Sequence, residues 1–204
     1  MSTNRKIPVV LDLEEIETIK KAPGTRFRSG KRDKAIIWLT LNTGLRVDEV
    51  INLKPKNIDL KNKVIALDHA KKDSFGNVVF NSNETIELIK AWLKVRPKSE
   101  WLFCTITQEK KNIADKGGIT IPGNKLTRQY LTSMVKRYAR KAGITKNVSF
   151  HTLRHTYATW LYINKHDIET VRQQLRHKSI NTTTIYTQTA WQFEGHKALN
   201  GFQL

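Results

Sequence analysis

Apolar residues at helical spacing, cut at intervals by glycine and proline, constrain this chain more than any other feature. Within residues 33–42, Ala35, Ile36, Leu39 and Thr40 fall on one helix face, and Gly44 ends the run. A short helix over 47–53 stops before Pro55. Upstream, residues 11–22 read as a helix with Asp12 at the N-cap, Glu15 at the capping-box position, and Pro23-Gly24 as the stop. A basic loop over 26–32 separates these helices.

Two strands, 63–68 and 77–81, flank a turn that holds Lys71, Lys72 and Gly76. A helix over 84–95, a short strand over 101–105 and a polar loop over 106–123 come next. A long basic helix over 124–142 is stopped by Gly143, and three helices follow at about 151–164, 167–176 and 179–186. The expected fold class is mainly α with a small antiparallel β-sheet (α+β). Residues 1–10 form a short lead, 11–187 the domain proper, and 188–204 a tail carrying Trp191, Phe193, Leu199, Phe202 and Leu204.

Charge narrows the function. The 204 residues hold 36 Lys and Arg against 18 Asp and Glu, a net charge of +18, which exceeds what solubility requires and implies a polyanionic partner. The positive residues run along the whole chain, as on a surface that wraps nucleic acid. The single cysteine, Cys104, excludes an internal disulfide framework and a cysteine-rich zinc site. Neither an apolar signal core nor a bilayer-spanning apolar run is present, so a cytoplasmic, nucleoid-associated protein without a membrane partner is expected.

The last quarter of the chain carries phosphate-handling residues in order: His151 and Arg154, then His177, then Tyr186; Arg46 and Glu49 stand far upstream. Phosphoryl transfer needs fixed positive charge around the non-bridging oxygens, a nucleophile, and a proton for the leaving oxygen. The arginine fork stays charged and matches two phosphate oxygens. His151 and Arg154, three residues apart, share a helix face. Tyr186 is the nucleophile candidate; its phenol ionises near pH about 10, so clustered cations are expected to favour the ionised form. A lysine of the hairpin turn, Lys72 or its neighbour Lys71, is the candidate proton donor. No cofactor or metal is called for where arginines carry the charge.

Each residue also has a purely structural use. Arg46 can pair with Glu49 alone, His177 can cap a helix, Tyr186 can fill a core beside Ile185, and one of the two lysines is an ordinary solvated turn residue. The joint order and spacing favour the chemical reading.

In those segments the chain resembles the tyrosine recombinase, or phage integrase, family over roughly residues 10–190. Thr43-Gly44-Leu45-Arg46-Val47-Asp48-Glu49 is similar to its first arginine motif. Residues 150–159, beginning Phe150-His151-Thr152-Leu153-Arg154, resemble its His-x-x-Arg helix, and residues 175–186 resemble the segment from the late histidine to the nucleophile. The resemblance implies the tyrosine recombinase catalytic-domain fold. It implies that Arg46, His151, Arg154 and His177 hold the scissile phosphate and that Glu49 supports them. Tyr186 would form a 3′-phosphotyrosyl bond, releasing a 5′-hydroxyl with a proton from Lys72 or Lys71. The implied partners are double-stranded DNA, further copies of the chain (a dimer per site, a tetramer on two duplexes, joined through the tail) and an accessory directionality protein.

Two departures stand out. Arg176 replaces the family's usual glycine, altering a turn or adding a DNA contact. The sequence also opens almost directly on the catalytic domain, as expected of either a short recombinase or a piece of a longer one that carries the family's N-terminal helical clamp. Two other functions compete with recombination: DNA relaxation of the type IB topoisomerase kind, and DNA binding by a regulator without catalysis.

Overall fold

A computed structural model describes residues 7–67, 76–106, 121–165 and 167–198. Its helices are α1 (Leu13–Lys21), α2 (Arg28–Thr43), α3 (Val47–Asn52), α4 (Asn83–Leu93), α5 (Arg128–Lys141), α6 (Phe150–Lys165), α7 (Ile168–Leu175) and α8 (Ile185–Ala198). The strands β1 (Ile58–Asp59), β2 (Val64–Leu67) and β3 (Gly76–Val79) form one antiparallel sheet in that order. Val64 pairs with Val79 and Leu67 with Gly76 across β2 and β3.

Local chemistry sets the helix starts. Asp12 accepts from Glu15 N–H and the Glu15 carboxylate accepts from Asp12 N–H, both at 2.9 Å, so two orphan donors of α1 are satisfied reciprocally. Thr127 caps α5, Asp167 caps α7, and Ser149 with Thr152 closes a similar reciprocal box at the start of α6. α2 ends on Gly44 at φ 64°, a left-handed conformation that only glycine adopts without strain. A Cβ there would also lie 2.6 Å from Tyr157 and 2.7 Å from Leu175, so this glycine is needed for space as well as for its backbone angle.

α2 is the central element. Ala35, Ile36, Ile37 and Leu39 are fully buried, and the helix packs against α4 on one side and α6 on another. Leu45, Val50, Ile65, Ile89, Trp92, Phe103, Leu131, Val135 and Leu153 complete the main core. A smaller apolar cluster, Ala158, Val171, Leu175 and Tyr186, joins α6, α7 and α8.

Several expectations are corrected. α2 begins at Arg28, within the expected basic loop, and Arg32 and Asp33 are buried inside it. Arg32 Nε donates to Asp33 at 2.9 Å and its Nη1 to the Cys104 carbonyl at 2.9 Å. Asp33 also accepts from Arg137, Tyr130 and Tyr138, each at 3.2 Å. Mutual neutralisation lets these charges lie inside, which residue type alone does not reveal. The strand expected over 101–105 reduces to one bridge between Cys104 and Lys125, and β1 adds a strand not anticipated. The helix expected over 179–186 is a 3-10 turn, Ile180–Thr182, followed by α8, which runs through the tail to Ala198. Phe193 of α8 packs against Trp160 of α6 with ring centroids 5.6 Å apart, while Trp191 stays exposed.

Asp33 neutralises Arg32 where water cannot. Asp33→Ala is therefore expected to lower the unfolding free energy by about 3–5 kcal/mol, measured by urea denaturation. A loss under about 1 kcal/mol would mean that the network contributes little.

Candidate active site

The site forms where four chain segments meet. Arg46 stands at the N-cap of α3, just after Gly44 turns the chain. His151 and Arg154 lie on the first turns of α6. His177 follows α7, and Tyr186 opens α8. The structure thus brings Arg46, Glu49, His151, Arg154, His177 and Tyr186 together; Lys71 and Lys72 lie outside the described residues.

Arg154 is the hub. Only 4% exposed, its guanidinium donates through Nη1 to the Gly44 carbonyl and through Nη2 to the Leu175 carbonyl at 2.9 Å. Nη2 also meets His177 Nε2 at 3.1 Å. Arginine only donates, so Nε2 accepts and the His177 proton sits on Nδ1, which then donates to Thr183 Oγ1 at 3.0 Å. His177 is therefore neutral here. Burial, then Arg154 and Arg46, lower its pKa to about 4. Burial and Arg46 lower Arg154 itself to about 10, which leaves it charged at neutral pH.

Glu49 organises the upstream arginine. Its carboxylate accepts from Arg46 Nη1 at 3.0 Å and from Arg46 N–H at 2.6 Å. It is buried, yet its pKa is lowered: burial opposes the charge, but Arg176 and the Arg46 N–H bond outweigh it. The pairing of Arg46 with Glu49 anticipated as a structural use therefore exists, and it holds a half-buried guanidinium at the site.

Arg176 is not placed as a DNA contact. Its guanidinium is 5% exposed and donates to Glu49 at 2.6 Å. The residue sits at φ 55°, ψ 47°, costing a non-glycine residue about 1–2 kcal/mol. That turn brings His177 N–H back to the Arg172 carbonyl at 3.0 Å and aims His177 at Arg154. The turn at this position is therefore left-handed with a side chain attached.

Tyr186 is 2% exposed against Ala158, Val171 and Leu175, so it is at once a core residue and a member of the cluster. Burial raises its pKa; Arg154 and Arg46 pull it down but do not prevail. The cations do favour the phenolate, as expected, but desolvation outweighs them and the phenol stays protonated. His151, open to solvent on one side, is lowered by partial burial, then by Arg154 and Arg46.

One residue in contact with the phenol was missed. His155 Nδ1 lies 3.2 Å from the Tyr186 hydroxyl. The available signal was its spacing, four residues after His151 and so on the same face of α6. Among the described residues, no group of three or more His, Cys, Asp or Glu side chains is gathered to hold a metal ion.

The arrangement can hold an anion between fixed guanidinium and imidazole groups, with a phenol beside it. The phage integrase family matches residues 9–192. This chain therefore belongs to the phage integrase family. It is 31% identical to a tyrosine recombinase XerD of Staphylococcus saprophyticus over 191 residues, 92% of this chain and 60% of that protein. It is 30% identical to the Staphylococcus aureus XerD over 188 residues, again 60% of that protein. The chain thus spans about 60% of the length of the curated relatives it matches. The fold is that of the tyrosine recombinase catalytic domain. It superposes on XerA recombinase with a TM-score of 0.77 at 26% identity, covering 100% of this chain and 68% of XerA. It also superposes on XerH site-specific recombinase bound to palindromic difH substrate, a post-cleavage complex, with a TM-score of 0.75 at 30% identity, covering 95% and 53%.

The buried histidines make the fold acid-labile. His155 and His177 have pKa values of about 4 when folded against 6.5 as free side chains. Between those values the unfolded chain binds protons that the folded chain excludes. Stability therefore falls as pH drops from about 6.5 toward about 4. Glu49, lowered when folded, adds to the loss only as pH falls below 4.5. Urea midpoints should decline from about pH 7 to about pH 5; a flat profile would contradict neutral buried imidazoles.

Proposed function

We propose that this chain is the catalytic domain of a site-specific DNA recombinase that cleaves and rejoins DNA through a 3′-phosphotyrosyl intermediate. One observation carries the reading. Arg46, His151, Arg154 and His177 converge from separate segments on the phenol of Tyr186, and Arg154 and Arg46 act on that phenol through their charge. The likeness to XerD and to a DNA-bound, post-cleavage XerH supports it.

Arg46 and Arg154 take the non-bridging oxygens of the scissile phosphate, and His177 and His151 complete the cradle. Three bonds engage three of the five N–H groups of Arg154, so two remain for an incoming anion. The phosphodiester charge offsets the guanidinium field, and cleavage energy is stored in the phosphotyrosyl bond until a 5′-hydroxyl attacks it. Lys72, or Lys71, supplies the proton to the leaving 5′ oxygen. The substrate is double-stranded DNA, held by a net charge of +18. The chain works as a dimer per site and a tetramer on two duplexes, with an accessory directionality protein, in the nucleoid-bearing cytoplasm. Its described residues contain no helix long and apolar enough to cross a membrane. The tail, residues 188–204, contributes the contact between copies.

The test is covalent trapping on a nicked duplex spanning the DNA beside its own coding sequence, read on a denaturing protein gel. A DNA-shifted band that disappears in Tyr186→Phe is the expected result. No adduct on a duplex that the protein binds would favour a non-catalytic regulator, and relaxation without need of a second site would favour topoisomerase chemistry. Arg154→Lys keeps the charge but loses the two-pronged geometry, so it should slow adduct formation about 100-fold or more while binding persists. Equal loss of binding and cleavage would contradict that role.

A further inference from the structure

His155 has no part in the phosphate cradle, yet it touches the nucleophile. Its Nδ1 lies 3.2 Å from the Tyr186 hydroxyl, with ring centroids 5.7 Å apart. The phenol also packs among Ala158, Val171 and Leu175, which accept no proton, and its ring stacks on His177 with centroids 6.4 Å apart. Arg46 and Arg154 can only donate. His177 is engaged at both nitrogens, by Arg154 at 3.1 Å and by Thr183 at 3.0 Å. A phenol held protonated by burial needs an acceptor as it attacks, and among the described residues His155 is the one hydrogen-bonded to its hydroxyl.

We propose that His155 is a catalytic residue that accepts the Tyr186 proton through Nδ1 during cleavage and returns it during rejoining. This rests on the reading of the chain as a DNA-cleaving enzyme. In the forward step the phenolic O–H bond breaks and its proton passes to Nδ1, giving an imidazolium. The phenolic oxygen forms the new bond to phosphorus and the bond to the 5′ oxygen breaks. That oxygen leaves as a hydroxyl, with a proton from the separate donor assigned above. In the reverse step the imidazolium reprotonates the phenol as the phosphotyrosyl bond breaks.

The surroundings suit a base that is idle until DNA binds. His155 is faced by His151 and Arg154 from its own helix, by Tyr186 from α8 and by His177 from the segment after α7. Burial, then His151 and Arg154, lower it to about 4, so the ring is neutral at rest. With its proton on Nε2, it accepts from the phenol. A phosphate seated on Arg154 cancels part of the charge that weakens His155, so its basicity rises when the substrate arrives.

The test measures single-turnover adduct formation on the nicked duplex for wild type, His155→Ala and His155→Asn. Asparagine keeps an acceptor oxygen near the position of Nδ1 and preserves the fold, but it takes no proton at neutral pH. Both variants should slow adduct formation about 100-fold or more with duplex affinity unchanged. A duplex with sulfur at the 5′ bridging position, whose thiolate leaves without a proton, should not restore them. Restoration by sulfur would assign the proton to the leaving group and overturn the proposal. A His155→Asn rate equal to or above wild type would reduce the contact to a hydrogen bond that positions or stores the phenol, and would overturn it as well. Absence of any wild-type adduct is a separate result, which removes the DNA-cleavage reading itself and this proposal with it.

Discussion

The burial of one guanidinium organises the site. Arg154 sits in α6 almost wholly away from water, and taking such a cation out of water costs several kcal/mol unless it is well solvated by the protein. Its solvation comes from the Gly44 and Leu175 carbonyls and from the His177 imidazole. Gly44 and Leu175 terminate α2 and α7, so two helices turn their negative ends toward the charge. Satisfying Arg154 therefore draws the ends of α2 and α7 onto α6. Arg46 follows Gly44 by two residues and His177 follows Leu175 by two, so both are delivered to the same place.

The same burial decides the resting chemistry. Desolvation raises the phenol of Tyr186 and lowers the imidazoles of His155 and His177, so each is neutral before a phosphate is present. Arg154 remains charged, and the Glu49 carboxylate is shared between Arg46 and Arg176. The site is thus a positive cradle with a protonated phenol at its wall. An anion taken into that cradle would change the field on the groups beside it.

Local rules were legible where one helical turn carries them. The Asp12–Glu15 box and the Gly44 stop follow from short-range hydrogen bonding and backbone sterics. They failed where distant partners reverse a local preference. Arg32 and Asp33 look like loop or surface residues until Tyr130, Tyr138 and Arg137, about a hundred positions away, supply their hydrogen bonds. Arg176 looks like a surface cation until Glu49, 127 residues upstream, takes its charge inside. β1 is two residues long and exists only because β2 pairs with it, so no periodicity marks it.

By itself the sequence determined the residue types the chemistry requires, their order along the chain, and the helices that carry them, because those depend on side-chain identity and spacing within a few residues. It also carried the family resemblance, since motifs are local. Tertiary structure decided which charges are buried and which group touches the phenol. His155 meets the Tyr186 hydroxyl, while His177 stacks on its ring, because α8 crosses α6 one turn past His151, and a crossing of two helices is set by packing between segments thirty residues apart. Protonation at rest was likewise decided there: a pKa follows from desolvation and neighbouring charge, and neither exists until the chain has folded.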